Sequence, residues 1–131
     1  MRFMLLQNYG EVGSDCSSMS EWDPADVAAH IRFQQALNEE LFASGELLDA
    51  QGLAGPDTAK VVVWDGVGAP VVTDGPYAES KELLAGYRLI DVESEARAVE
   101  IAARASAAPS PVGPIKQPIE VRRVMDAPPE G

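Results

Sequence analysis

The chain has 131 residues, 46% of them hydrophobic, and carries a formal charge of −11. Length and apolar content suit a single folded domain with a real core. So large an acidic excess argues against a phosphate-reading surface, so neither nucleic acid nor an anionic membrane is expected as a partner. Its ordinary use is to keep a small protein dissolved.

Cys16 is the only cysteine and His30 the only histidine. That excludes an intramolecular disulfide, a thiolate cage and a His-rich metal site. The carboxylates show no ligand spacing either, so no metal and no cofactor are expected. No apolar run approaches the ~20 residues of a membrane span. The opening residues turn polar too soon for a signal peptide, which makes the cytoplasm the expected compartment.

Arg2 to Gln7 reads as a central strand, apolar on both faces. Asn8 to Trp22 is a long polar loop, of the length that flaps and lids take. Asp23-Pro24 opens a helix, with Asp as N-cap and Pro at the first helical position. It runs to about Ala43 and stops before Gly45. At about 100° per residue, Val27, Ile31, Phe33, Leu37 and Leu41 share one broad face, with His30 and Gln34 inside it.

Glu46 to Gly52 and Lys60 to Trp64 read as strands, and Asp65 to Gly68 as a hairpin turn leading into Val71 to Thr73. Asp74-Gly75-Pro76 is corner chemistry: an acid that bonds its own backbone, a residue open to positive φ, and a ring that ends strand pairing. Tyr87 to Val92 is a strand, Ser94 to about Ala105 an alanine-rich helix, and Ile119 to Val124 the last strand, followed by a short tail from Asp126. The order is β-α-β-β-α-β with one extra small strand. It predicts an α+β fold with both helices on one face of a mostly antiparallel sheet. The opposite face would stay apolar and uncovered, which predicts a homodimer.

Asp74-Gly75-Pro76-Tyr77-Ala78-Glu79-Ser80-Lys81-Glu82 resembles the signature of the DGPF, or YCII-related, proteins, which typically read Asp-Gly-Pro-Phe-Ala-Glu-Thr-Lys-Glu there. Phe3 to Leu6, Asn38 to Leu41, Gly86 to Val92 and Ile119 to Arg122 are similar to further segments of that family, in the same order. The resemblance implies one YCII-related domain over residues 1–125, with a ferredoxin-like fold that dimerises as an α+β barrel. It implies no settled activity. Members are often encoded beside extracytoplasmic-function sigma factors, which makes a sigma factor a conceivable partner. Tyr77 stands for the usual Phe and Ser80 for the usual Thr. The first-helix histidine of some relatives falls near Gln34, which has no basic nitrogen.

Two functions follow as expectations. In one, a barrel pocket binds a small organic molecule, with cofactor-free acid–base chemistry at Asp74 and ligand contacts from Gln34, Tyr77 and Arg122. In the other, the chain is a non-catalytic regulatory module acting with a sigma factor, its acidic surface meeting a basic patch. Each residue also has a plainer role. Asp74 caps the corner. His30 is either a general base or a helix histidine tucked against the sheet. Glu79, Lys81 and Glu82 form either a ligand rim or a solvated turn. Glu120 and Arg122 share one strand face, as an ion pair or as a grip on a ligand carboxylate. Gly75 and Pro76 shape the corner, with Gly75 expected to resist substitution through backbone strain.

Overall fold

The alternation read in the first strand places Phe3 and Leu5 on one side and Met4 and Leu6 on the other, and only the first pair is fully buried. A computed structural model describes residues 1–8, 22–75 and 84–126. Along them run β1 (Arg2–Asn8), α1 (Pro24–Ala43), β2 (Leu47–Gly52), β3 (Lys60–Val63), β4 (Val71–Asp74), β5 (Leu84–Asp91), α2 (Glu95–Ser106), β6 (Pro109–Ser110), β7 (Gly113–Pro114) and β8 (Ile119–Arg123). The long loop after β1, the corner from Pro76 onward and the last residues of the tail lie outside the described residues.

Four strands form one antiparallel sheet in the order β2-β5-β1-β8. Phe3 lies opposite Ile90, and Leu5 opposite Arg88 and Val121. Directly opposed residues project to the same side, so these five side chains define one face. Leu37 and Leu41 of α1 pack on it, as do Ala98, Ile101, Ala102 and Ala105 of α2. The small alanine face lets α2 approach closely, and burying each large side chain contributes about 1.5–3 kcal/mol. This is the α+β, ferredoxin-like arrangement that the element order predicts. Among the described residues the sheet stays open and no barrel closes within one chain.

Local signals at the helix ends hold. Pro24 is the first residue of α1, and the Asp23 carbonyl accepts from the N–H groups of Asp26 and Val27 at 2.9 and 3.1 Å. The Asp23 side chain makes no capping bond. Ser94 does cap α2, accepting from the Arg97 N–H at 3.2 Å. No helix among the described residues is long and apolar enough to cross a membrane.

Three expectations are corrected. Ile31 is 43% exposed, and the polar side chains of His30, Gln34 and Asn38 occupy the stripe beside Leu37 and Leu41 instead. Among the described residues β3 and β4 pair only with each other, as a separate two-stranded ribbon. β5 pairs with β1 on one side and β2 on the other, the ribbon stays outside the four-stranded sheet, and Val62, Val63, Val71 and Val72 are exposed. Gly75 is not at positive φ; what crowds it is Val61, whose Cγ2 would lie 2.8 Å from an added Cβ.

Candidate functional site

Residues one turn apart on a helix stand above one another, so His30, Gln34 and Asn38 form a polar stripe along α1. Facing them from β5 is Arg88, on the same inward side as Ile90. Arg88 is 4% exposed and His30 8%. The guanidinium donates from Nε to Asn38 Oδ1 at 2.7 Å and from Nη2 to Gln34 Oε1. Gln34 Nε2 lies 3.4 Å from His30 Nε2, and His30 Nδ1 lies 3.0 Å from the Pro109 carbonyl.

The direction of this chain of bonds is forced at both ends. An arginine only donates and a carbonyl only accepts. Gln34 must therefore turn its oxygen to Arg88 and its NH2 to the histidine. His30 must carry its hydrogen on Nδ1 and accept at Nε2. The short β6–β7 turn, pairing Ser110 with Gly113, holds Pro109 against α1. Trp22 packs edge-on against the imidazole, with ring centroids 5.6 Å apart and planes at 82°.

The electrostatics are unusual for an interior. Among the described residues Arg88 has no carboxylate partner, and its two acceptors are neutral amide oxygens. Burial lowers its pKa to about 10, which still leaves it charged at neutral pH. Amide dipoles satisfy N–H groups, but they do not neutralise a buried charge, which normally demands a counterion.

The residues named from sequence are dispersed. Gln34 belongs to the interior network. Arg122 lies on the opposite face of the sheet, beside Met4, in a long 3.8 Å ion pair with Glu120. Asp74 ends β4 and pairs with Lys60 across the ribbon, its side chain 85% exposed. The Gly75 N–H donates to the Ala59 carbonyl at 2.8 Å. Pro76, Tyr77, Glu79, Lys81 and Glu82 lie outside the described residues. On the open face of the sheet, Tyr87 donates to Asp49 Oδ2 at 2.9 Å, and that bond raises the phenol's pKa. Among the described residues, no three His, Cys, Asp or Glu side chains gather closely enough to hold a metal ion.

Sequence reasoning missed Arg88, Asn38 and Trp22. The signal was there. An arginine two residues before Ile90, within an apolar strand, falls on the inward side, and His30, Gln34 and Asn38 repeat at helical spacing.

The chain is similar over 89 residues to an uncharacterised protein of Rhizobium meliloti (strain 1021), at 33% identity, covering 68% of this chain and 71% of that protein. The family model of the YCII-related domain matches residues 1–125. On that match, which spans the sheet, both helices and the polar interior alike, the chain belongs to the YCII-related domain family.

Proposed function

We propose that the chain binds a small organic molecule in the polar interior between α1 and the sheet. The observation that supports it is Arg88: a guanidinium 4% exposed, bonded to Gln34 and Asn38, with no carboxylate partner among the described residues. A purely structural arginine is ordinarily paired, because an uncompensated buried charge costs several kcal/mol. A cation held in place by neutral amides is instead oriented for something that arrives. His30 Nε2 and the edge of Trp22 lie along the same wall.

A thermal-shift screen of small organic molecules tests this, repeated with Gln34→Leu. A ligand of the interior stabilises the wild type and loses most of that effect in Gln34→Leu. Asp74→Asn answers the acid–base version of the reading. The Lys60–Asp74 pair is exposed and contributes at most about 1 kcal/mol, so a loss of binding or turnover there would be direct. Hits indifferent to Gln34→Leu would place binding elsewhere.

We also infer a homodimer, from a different observation. Val62, Val63, Val71 and Val72 of the ribbon are each more than half exposed, and so is Trp64 beside it. Two isolated strands are marginally stable in water, and exposed apolar residues gathered in one place favour a partner.

A further inference from the structure

Gln7 follows Leu5 on the inward face of β1, two residues further along. Leu5 lies opposite Arg88 and Gln7 opposite Gly86, so Gln7 and Arg88 are diagonal neighbours on the side that faces α1. Gln7 Nε2 is buried and has no hydrogen-bond partner among the described residues. Its Oε1 leans over Gly86, 3.5 Å from where a Cβ would stand. Gly86, having no side chain, places none beside the amide and the guanidinium.

Buried polar atoms without partners are rare, and a hydrogen-bond account normally closes. Here it fails in one direction only. Arg88 has five N–H donors, two of them placed on Asn38 and Gln34, and Gln7 adds an unused NH2. Among the described residues, Arg88 is bonded to two acceptors, Asn38 Oδ1 and Gln34 Oε1. Among the described residues, what the site lacks is a partner for these donors and a negative charge to match the cation. One group supplies both.

We propose that the ligand of this interior carries a carboxylate, which sits between the Arg88 guanidinium and the Gln7 amide. The proposal rests on the binding reading above and names its ligand class. A carboxylate is planar, singly charged and accepts about four hydrogen bonds, which suits a forked guanidinium and one NH2. A phosphate dianion would bring two charges to a single buried cation, leaving one uncompensated. The surplus of donors also disfavours a neutral amide, which adds an NH2 of its own and brings no charge.

The full chain is titrated with formate, acetate and benzoate, and in parallel with formamide, acetamide and benzamide, following both melting temperature and heat of binding. Inorganic phosphate is the third arm. The acids should bind saturably, at least about tenfold more tightly than their amides. Gln7→Leu removes the unused donor without touching the charge. It should weaken acid binding about tenfold, while the unliganded protein melts no lower than wild type. Arg88→Met should abolish acid binding, and because it also strips Gln34 and Asn38 of their donor, Gln7→Leu remains the deciding variant. Amides that bind as tightly as the acids would overturn the carboxylate while leaving interior binding intact. Phosphate binding in preference to the acids would overturn it in favour of a larger anion. Acid binding indifferent to Gln7→Leu would overturn the proposed seat. No binding by any member of the three arms would overturn both the proposal and the reading it rests on.

Discussion

Asn38 accepts the Nε–H of Arg88 at 2.7 Å, and that bond ties the middle of α1 to a central strand through the interior. The helix contributes oxygen without charge. An acid at the same place would have given a conventional buried ion pair and a settled core. The choice of amide keeps the cation oriented and electrostatically unsatisfied.

Asn38→Asp should therefore stabilise the protein and silence the site together. The substitution keeps the shape of the side chain and delivers a carboxylate to Nε. Pairing a charge that is already buried should contribute about 1 kcal/mol or more, a rise of roughly 3–5 °C in Tm for a chain of this size. The same internal carboxylate should block the response to added formate or benzoate. Differential scanning calorimetry checks the first and a repeat titration the second. A melting temperature at or below wild type would show that the guanidinium is already compensated.

The architecture was legible where local chemistry and packing agree. Asp23-Pro24 starts α1 because the ring fixes φ and its missing N–H is no loss there. Phe3 and Leu5 announce the core by alternation, and Ala98, Ile101, Ala102 and Ala105 by helical period. The ribbon misled because Val61 to Val63 is a good apolar strand by composition, and composition does not say which strand edge is already occupied. The interior site was half visible. Gln34 stood out through the family resemblance, and His30 as a lone histidine. Arg88 did not, since a charged residue in a strand usually turns to solvent; its two-residue spacing from Ile90 was the signal, and the register against Leu5 bears it out.

Acid should loosen the junction between β2 and α2. Arg97 holds Glu46 bidentately, Nε to Oε2 at 2.8 Å and Nη2 to Oε1 at 2.9 Å, and Ser44 donates to the same carboxylate at 2.8 Å. The Arg97 bond, helped by Ser44, lowers the Glu46 pKa from 4.5 to about 2 against an opposing desolvation. A depressed acid contributes stability that is complete above its unfolded pKa of 4.5 and fades as pH falls toward 2. Glu46→Gln should thus cost about 1–2 kcal/mol at pH 6, and much less near pH 2.5. Urea unfolding of both proteins at the two values measures the difference. A gap that did not narrow in acid would mean that Glu46 acts through packing and not through its charge.

Gly86 and Gly75 should respond differently to alanine. A Cβ at Gly86 would lie 2.8 Å from the Gln51 carbonyl oxygen and 3.3 Å from the Gly52 Cα, both backbone atoms of the adjoining strand. Neither can move without disturbing the β2–β5 pairing, so Gly86→Ala should cost about 1–3 kcal/mol. At Gly75 the tight contact is Val61 Cγ2, a side-chain methyl on the exposed ribbon. A rotamer change relieves it, and Gly75→Ala should cost less than about 1 kcal/mol. Equal losses in chemical denaturation would show that the ribbon base is as rigid as the sheet.

The inferred dimer is open to a direct test on the ribbon. Val62 lies opposite Val72, and Val63 opposite Val71, so the two pairs project to opposite sides and both sides are apolar. A ribbon folded back on its own chain would hide one of them. Here all four valines are between 55% and 62% exposed. The open face of the sheet adds Met4, Leu6 and Leu89, all half-buried. Joining these surfaces across a two-fold axis would cover both at once, since each copy offers the same patch and receives it. Light scattering at micromolar concentration should give twice the 13.9 kDa chain mass. Val62→Lys with Val72→Lys should shift it to the monomer, because the charges cannot be buried unpaired. Circular dichroism should change little, as the ribbon is separate from the four-stranded sheet. A monomer mass for the wild type would overturn the dimer. A dimer that survived both lysines would move its interface off the Val62–Val72 side of the ribbon.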